Sequence, residues 1–202
     1  ERVFYNCKSN PNFTVHKEVT SIGKETFAFD LSYLKNNALT NVNFEDGIEL
    51  PVISDSLFEN ADKKKITSLP SSVTTIGEDA FNNCDKLTGI TLPESVTSIG
   101  KKAFYDCDGL TEFTIPDSVT EVGANAFYTC GKLASVTIGD SVTSIGNYAF
   151  YYCYSLTSVN INDSVTTIGF AAFDHCTSLT SVTIGDSVTT IGNSAFECCD
   201  SL

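Results

Sequence analysis

The chain has 202 residues, with 25 acidic against 12 basic side chains and a formal net charge of −13. That balance argues against a nucleic-acid partner, which needs clustered Lys and Arg facing phosphates, and against an anionic membrane surface. Hydrophobic residues make up 42% of the chain, enough to bury a core, and no run of 18 apolar residues offers a membrane-spanning helix.

Read in chain order, one interval organises the sequence. Phe stands at positions 4, 27, 58, 81, 104, 127, 150, 173 and 196; every step is 23 residues except Phe27 to Phe58, which is 31. A fixed period in the twenties marks a solenoid, in which each repeat stacks only on its neighbours. The chain opens within a repeat at Val3–Cys7 and closes on Leu202, the first residue of another, so both ends read as cut. Residues 1–68 are divergent units. Leu39–Phe44 reads as a strand delayed by six residues, with Asp30–Ala38 bulging ahead of it as a loop. Lys63–Lys65, the only basic run, reads as a solvated turn. Regular repeats then fill residues 69–202, within a single solenoid over 1–202.

Residues 87–109 serve as the type unit. Leu87, Ile90 and Leu92 open it, with apolar residues two apart at the end of a short run, as in a strand with one buried face. Successive strands are expected to pair in parallel about 4.8 Å apart. Val96 and Ile99 follow in a bent, partly extended stretch that turns inward twice. Gly100 comes next, and its place is Gly in six consecutive units, which calls for positive φ or a close backbone approach. Pro70, Pro93 and Pro116 occupy the position after the strand, later taken by Gly139, Asn162 and Gly185. Because Pro lacks an N–H, no ladder hydrogen bond is expected there in any unit. Ala103, Phe104 and Cys107 close the unit with spacings that fit one or two turns of helix, the Phe filling the middle of each layer.

The motif Leu-x-x-Val-x-Ile-x-x-Ser-Val-x-x-Ile-Gly-x-x-Ala-Phe-x-x-Cys resembles the BspA-like leucine-rich repeats, also called the Treponema pallidum-type class. The resemblance spans residues 69–202 nearly throughout and residues 3–27 more loosely. It implies an α/β repeat solenoid: a right-handed coil with a parallel sheet on one face and short helices or turns on the other. It also implies a secreted or cell-surface protein of a host-associated microbe, often an adhesin, and it supplies no catalytic residues.

Each candidate chemistry meets a plainer alternative. The Cys column at 23-residue spacing presents a line where zinc needs convergence. Buried free thiols are the expectation, with a disulfide ladder disfavoured because adjacent rungs point Cβ the same way. Cys198 stands outside that column and reads as a surface thiol or as a contact to a further rung. Glu94, Asp117, Asp140, Asp163 and Asp186 form an acidic column that either holds Ca²⁺ or, as expected, caps each residue's own turn. His16 and His175 lie in distant units without a triad context and read as solvated. Thr91, Thr114, Thr137, Asn160 and Thr183 give a polar strand face, read as solvated rather than ice-binding. No cofactor, metal site or catalytic constellation is assigned.

Tyrosine is the remaining signal. Tyr105, Tyr128 and Tyr151 each follow a column Phe, and Tyr148, Tyr152 and Tyr154 crowd the same neighbourhood. These six are the expected partner-contact residues, against the alternative that the rings merely cover gaps between rungs. The leading reading is a non-catalytic extracellular binding module for a host or microbial surface protein or glycan. The alternative is a structural spacer of a larger cell-surface protein.

Overall fold

A computed structural model describes residues 12–24, 26, 41–61, 66 and 68–202. The expected loop over 30–38, the lysine run, Phe4, Phe27 and Cys7 lie outside the described residues. The rest is a stack of rungs, with parallel hydrogen-bonded ladders running along three flanks.

On the first flank β1 (Asn12–Val15) pairs with β2 (Asn41–Phe44). Asn12 faces Asn41 and Val15 faces Phe44, a step of 29 residues. That is the delay of six expected for this strand. Further along the same flank lie β6 (Glu112–Thr114), β8 (Ser135–Thr137), β10 (Ser158–Ile161) and β12 (Ser181–Ile184), joined in that order. Phe113 faces Val136 and Val159 faces Val182, at the regular step of 23. Their side chains turn inward while Thr114, Thr137 and Asn160 stay exposed, as the alternation of a half-buried strand requires.

The second flank is a sheet that the sequence reading did not anticipate. Seven two-residue strands stack in parallel: β3 (Val52–Ile53), β4 (Thr75–Ile76), β5 (Ser98–Ile99), β7 (Glu121–Val122), β9 (Ser144–Ile145), β11 (Thr167–Ile168) and β13 (Thr190–Ile191). The bent stretch around Val96 and Ile99 is therefore a ladder element. Two residues are too short for alternation to show in sequence. The position after the first-flank strand also differs from expectation in one unit, since the Gly185 N–H donates to the Ile161 carbonyl at 2.8 Å.

The third flank corrects the helix assignment. No helix forms among the described residues, and Ala-Phe-x-x-Cys runs as consecutive β-turns. The N–H groups of Asp79, Phe81 and Asn83 donate to Lys101, Ala103 and Tyr105 carbonyls of the next rung at 3.0, 2.8 and 2.8 Å. The intervening N–H groups of Ala80 and Asn82 close turns onto Gly77 and Asp79 at 3.4 and 3.0 Å. Donors thus alternate between the neighbouring rung and the local turn. Asp79 and Asn83 take φ of 54° and 55°, and Lys102 and Asp106 repeat this at 55° and 53°. A left-handed residue at every fourth position breaks the i→i−4 bonding of an α-helix. Apolar spacings of three and four do not distinguish the two conformations.

Inside the three flanks runs the phenylalanine spine. Rings from Phe58 through Phe173 are fully buried. Successive centroids from Phe81 to Phe196 lie 5.1–5.3 Å apart with ring planes within 7°. Each buried ring contributes roughly 1.5–3 kcal/mol of apolar transfer. Beside the spine, the cysteines from Cys84 to Cys176 are buried free thiols.

Of the two reasons offered for the recurring Gly, close approach is the operative one. A Cβ on Gly123 would meet the Gly100 carbonyl carbon at 2.6 Å, and one on Gly192 the Gly169 carbonyl carbon at 2.5 Å. Two members of the acidic column cap turns, but across rungs. Asp117 Oδ1 accepts from the Asp140 N–H at 3.0 Å, and Asp163 Oδ1 from the Asp186 N–H at 2.9 Å.

Candidate functional site: an aromatic ridge on the turn flank

In each turn segment the Phe points into the spine, so the next residue points out. Three consecutive rungs place Tyr105, Tyr128 and Tyr151 there. Their rings stack at 4.7 Å and 4.9 Å between centroids, with interplanar angles of 3° and 23°. Around the last ring the other tyrosines gather edge-on. Tyr148 packs against Tyr151 at 5.4 Å and Tyr128 at 6.4 Å. Tyr152 meets Tyr151 at 4.5 Å and Tyr154 at 6.3 Å. All six residues singled out in the sequence thus form one continuous surface.

Local backbone sets these directions. Tyr148 and Tyr152 occupy the two left-handed positions of their rung, at φ 57° and 58°. A non-glycine side chain there costs roughly 1–2 kcal/mol, less for Asn and Asp, and earlier rungs mix those two with Ser56, Lys102 and Thr129. The ladder bonds of Tyr148 N–H to Phe170 O, 2.8 Å, and Tyr152 N–H to Asp174 O, 3.0 Å, hold the conformation. Tyr154 lies across Gly131 of the preceding rung, whose missing side chain makes the room; a Cβ there would run into the ring.

Two ridge members escaped the sequence reading. Phe170, 40% exposed, packs edge-on against Tyr148 at 5.1 Å. His175 sits 4.4 Å from Tyr152 and 5.6 Å from Tyr151, and is half-buried rather than solvated. Its identity was visible one period after Tyr152. Asp174 takes the place of the stacked tyrosines in the next rung and is buried, with Oδ1 2.7 Å from His175 Nδ1. Cys198, one period after His175, is exposed beside them.

The stacked phenols of Tyr105, Tyr128 and Tyr151 remain protonated through the neutral range. Partial burial, together with the hydrogen bond to Tyr152, pushes the Tyr151 hydroxyl up to about 12. Burial also raises Tyr128 and Tyr105. The three stacked rings therefore present neutral apolar faces edged by hydroxyl donors. Away from the ridge, Thr97, Thr143, Thr157 and Thr180, each one residue ahead of a strand, donate the hydroxyl proton to a carbonyl of the preceding rung at 3.0–3.2 Å.

The repeat geometry has close parallels. The family described as BspA type leucine rich repeat region matches six copies over residues 1–133 and 143–202. This chain belongs to the BspA-type leucine-rich repeat family. The leucine-rich repeat protein of T. pallidum superposes with a TM-score of 0.75 at 31% identity, over 81% of this chain and 78% of that one. A leucine-rich cell-surface protein from Faecalibacterium prausnitzii gives a TM-score of 0.57 at 25% identity, over 100% of this chain and 68% of that one. A leucine-rich repeat protein from Bacteroides ovatus gives 0.57 at 25% identity, over 95% and 73%. No curated protein matches the sequence. The BspA-type assignment is to a repeat family, with no catalytic family matched. Among the described residues no helix of this BspA-type chain is long and apolar enough to cross a membrane.

Proposed function

We propose that this BspA-type chain is an extracellular, non-catalytic binding module, adhesin-like in role, whose aromatic ridge contacts a host or microbial surface protein or glycan. One observation carries the reading. Tyr148 and Tyr152 place rings at left-handed positions that earlier rungs fill with residues as varied as Asp79, Asn83, Lys102 and Thr129, and those two rings complete the cluster around Tyr151. With Tyr151 between them in sequence, a single rung thus supplies three rings in mutual contact. Aromatic rings with hydroxyl rims are also the side chains most enriched at contact surfaces. The description of the F. prausnitzii relative as a cell-surface protein agrees with an extracellular setting.

The test is binding to a glycan array and to a panel of surface proteins, comparing the native chain with Tyr148→Asn/Tyr152→Asn and with Tyr151→Ala/Tyr154→Ala. Saturable binding lost in both variants, with the fold intact, supports the ridge. Full affinity in both moves the contact elsewhere. A second reading, a spacer that holds another domain off a surface, draws on the hydrogen-bonded ladders that stiffen the stack. It predicts no affinity for any partner by this chain.

A further inference from the structure

At the end of the ridge lies a group of different chemistry. A carboxylate oxygen of Asp174, an imidazole nitrogen of His175 and Sγ of Cys198 all lie within 4.8 Å of one another. The ladder builds this grouping. The His175 N–H donates to the Glu197 carbonyl at 2.9 Å, which sets Cys198 beside His175 one rung on. His175 and Cys198 both take the left-handed conformation, φ 59° and 53°, so their side chains leave the backbone in the same sense. Asp174, 7% exposed, is held against the imidazole by the 2.7 Å contact. The Tyr152 ring packs at a tilt against His175, 4.4 Å between centroids.

We propose that Asp174, His175 and Cys198 bind a zinc-class divalent cation. The donor set is one sulfur, one nitrogen and one oxygen, the mixture suited to borderline-soft Zn²⁺ and not to Ca²⁺ or Mg²⁺. Tetrahedral coordination at about 2.0–2.3 Å brings ligand atoms to about 3.3–3.8 Å from one another. The metal would replace the hydrogen bond between Asp174 and His175, whose 2.7 Å contact opens to that separation, while the exposed Cys198 thiol has freedom to close the remainder. On binding, the thiol releases its proton to solvent and the thiolate takes up the metal. The field favours a cation: Asp174, Glu197 and Asp200 all act on Cys198, and no Lys or Arg follows Lys132. Three protein ligands leave a fourth position open on the solvent side. Cys199, beside the site, directs its thiol to the Phe173 carbonyl at 3.2 Å and stays outside it. This assignment stands apart from the ridge's binding role.

Co²⁺ titration of the chain, followed by Zn²⁺ displacement, is the experiment. One Co²⁺ per chain is expected, with a thiolate-to-cobalt charge-transfer band that Zn²⁺ abolishes. Cys198→Ser should remove that band. His175→Asn, which tolerates the left-handed backbone, and Asp174→Asn should each weaken affinity about tenfold or more. Circular dichroism of each variant checks that the fold persists; because Cys198 is exposed, its variant keeps the test interpretable if Asp174→Asn unfolds. Absence of the band in the native chain at excess Co²⁺ overturns the proposal. So does a band that survives in Cys198→Ser.

Discussion

Cys107 Sγ lies 3.0 Å from the carbonyl oxygen of Phe81, one rung behind it. The same contact recurs from Cys130 to Phe104 at 3.1 Å, from Cys153 to Phe127 at 3.2 Å and from Cys176 to Phe150 at 3.3 Å. The thiol is a small apolar side chain whose weak donor also engages a buried acceptor. Replacing Cys130 by Ala removes both packing and donor while the carbonyl keeps the Leu133-side turn in place. The expected loss is about 1–2 kcal/mol in chemical denaturation; an unchanged midpoint would show that the contact contributes nothing.

Gly123 and Gly89 make a paired test of close approach. A Cβ at Gly123 meets backbone of the preceding rung at 2.6 Å, whereas one at Gly89 meets nothing within 4 Å. Gly123→Ala should destabilise by about 1–3 kcal/mol through overpacking. Gly89→Ala should stay within roughly 0.5 kcal/mol of the native chain. Equal melting temperatures for the two variants would contradict the rung spacing described here.

The Phe127 ring lies between Phe104 and Phe150 at 5.2 and 5.1 Å, with Phe113 edge-on at 4.7 Å. Phe127→Ala should cost about 3–5 kcal/mol, as a large-to-small change in a packed core does. Thermal unfolding reads it directly.

Alkaline pH should unfold the chain progressively. Burial raises the thiols of Cys107, Cys130, Cys153 and Cys176 above their ordinary 9.0. Tyr151 goes from 10.0 to about 12. In each case the folded state holds a proton that the unfolded chain releases at lower pH. The stabilisation is therefore complete below pH 9 and declines as pH rises beyond it. The thiols act first and Tyr151 adds its effect between about pH 10 and 12. Denaturant midpoints measured at pH 8 and at higher pH check the direction; a flat profile would count against burial of the column.

Gly131→Ala should disturb the ridge without disturbing the spine. The new methyl runs into the Tyr154 ring, an exposed side chain free to swing away, so the stability change should stay near 1 kcal/mol. Tyrosine fluorescence anisotropy and ligand affinity should shift together. A crystal structure of the variant with Tyr154 unmoved would refute this account of its seat.

The aromatic ridge was legible because Tyr105, Tyr128 and Tyr151 share a period, and stacking in register turns a shared period into contact. Phe170 and His175 were less visible, because their meaning depends on which residues of the neighbouring rung lie beside them. The Ala103–Cys107 segment misled for a different reason. Spacings of three and four satisfy an amphipathic helix and a run of turns equally well, and the left-handed residues that decide between them carry no single residue type: Lys102, Tyr148 and Ala171 all take that conformation.

A single period of 23 was enough to establish repetition, the axis of stacking, the inward Phe and Cys columns and the delayed strand at residues 41–44. Periodicity survives any local conformation that repeats faithfully, so it reports the stack without reporting the shape of a rung. That shape came only from three-dimensional pairing. The two-residue ladder on the second flank, the turn-built third flank, the carboxylates that cap the rung ahead and the meeting of Asp174, His175 and Cys198 all depend on hydrogen bonds between rungs. A residue's partner in such a bond lies more than twenty positions away, where local sequence pattern has no reach.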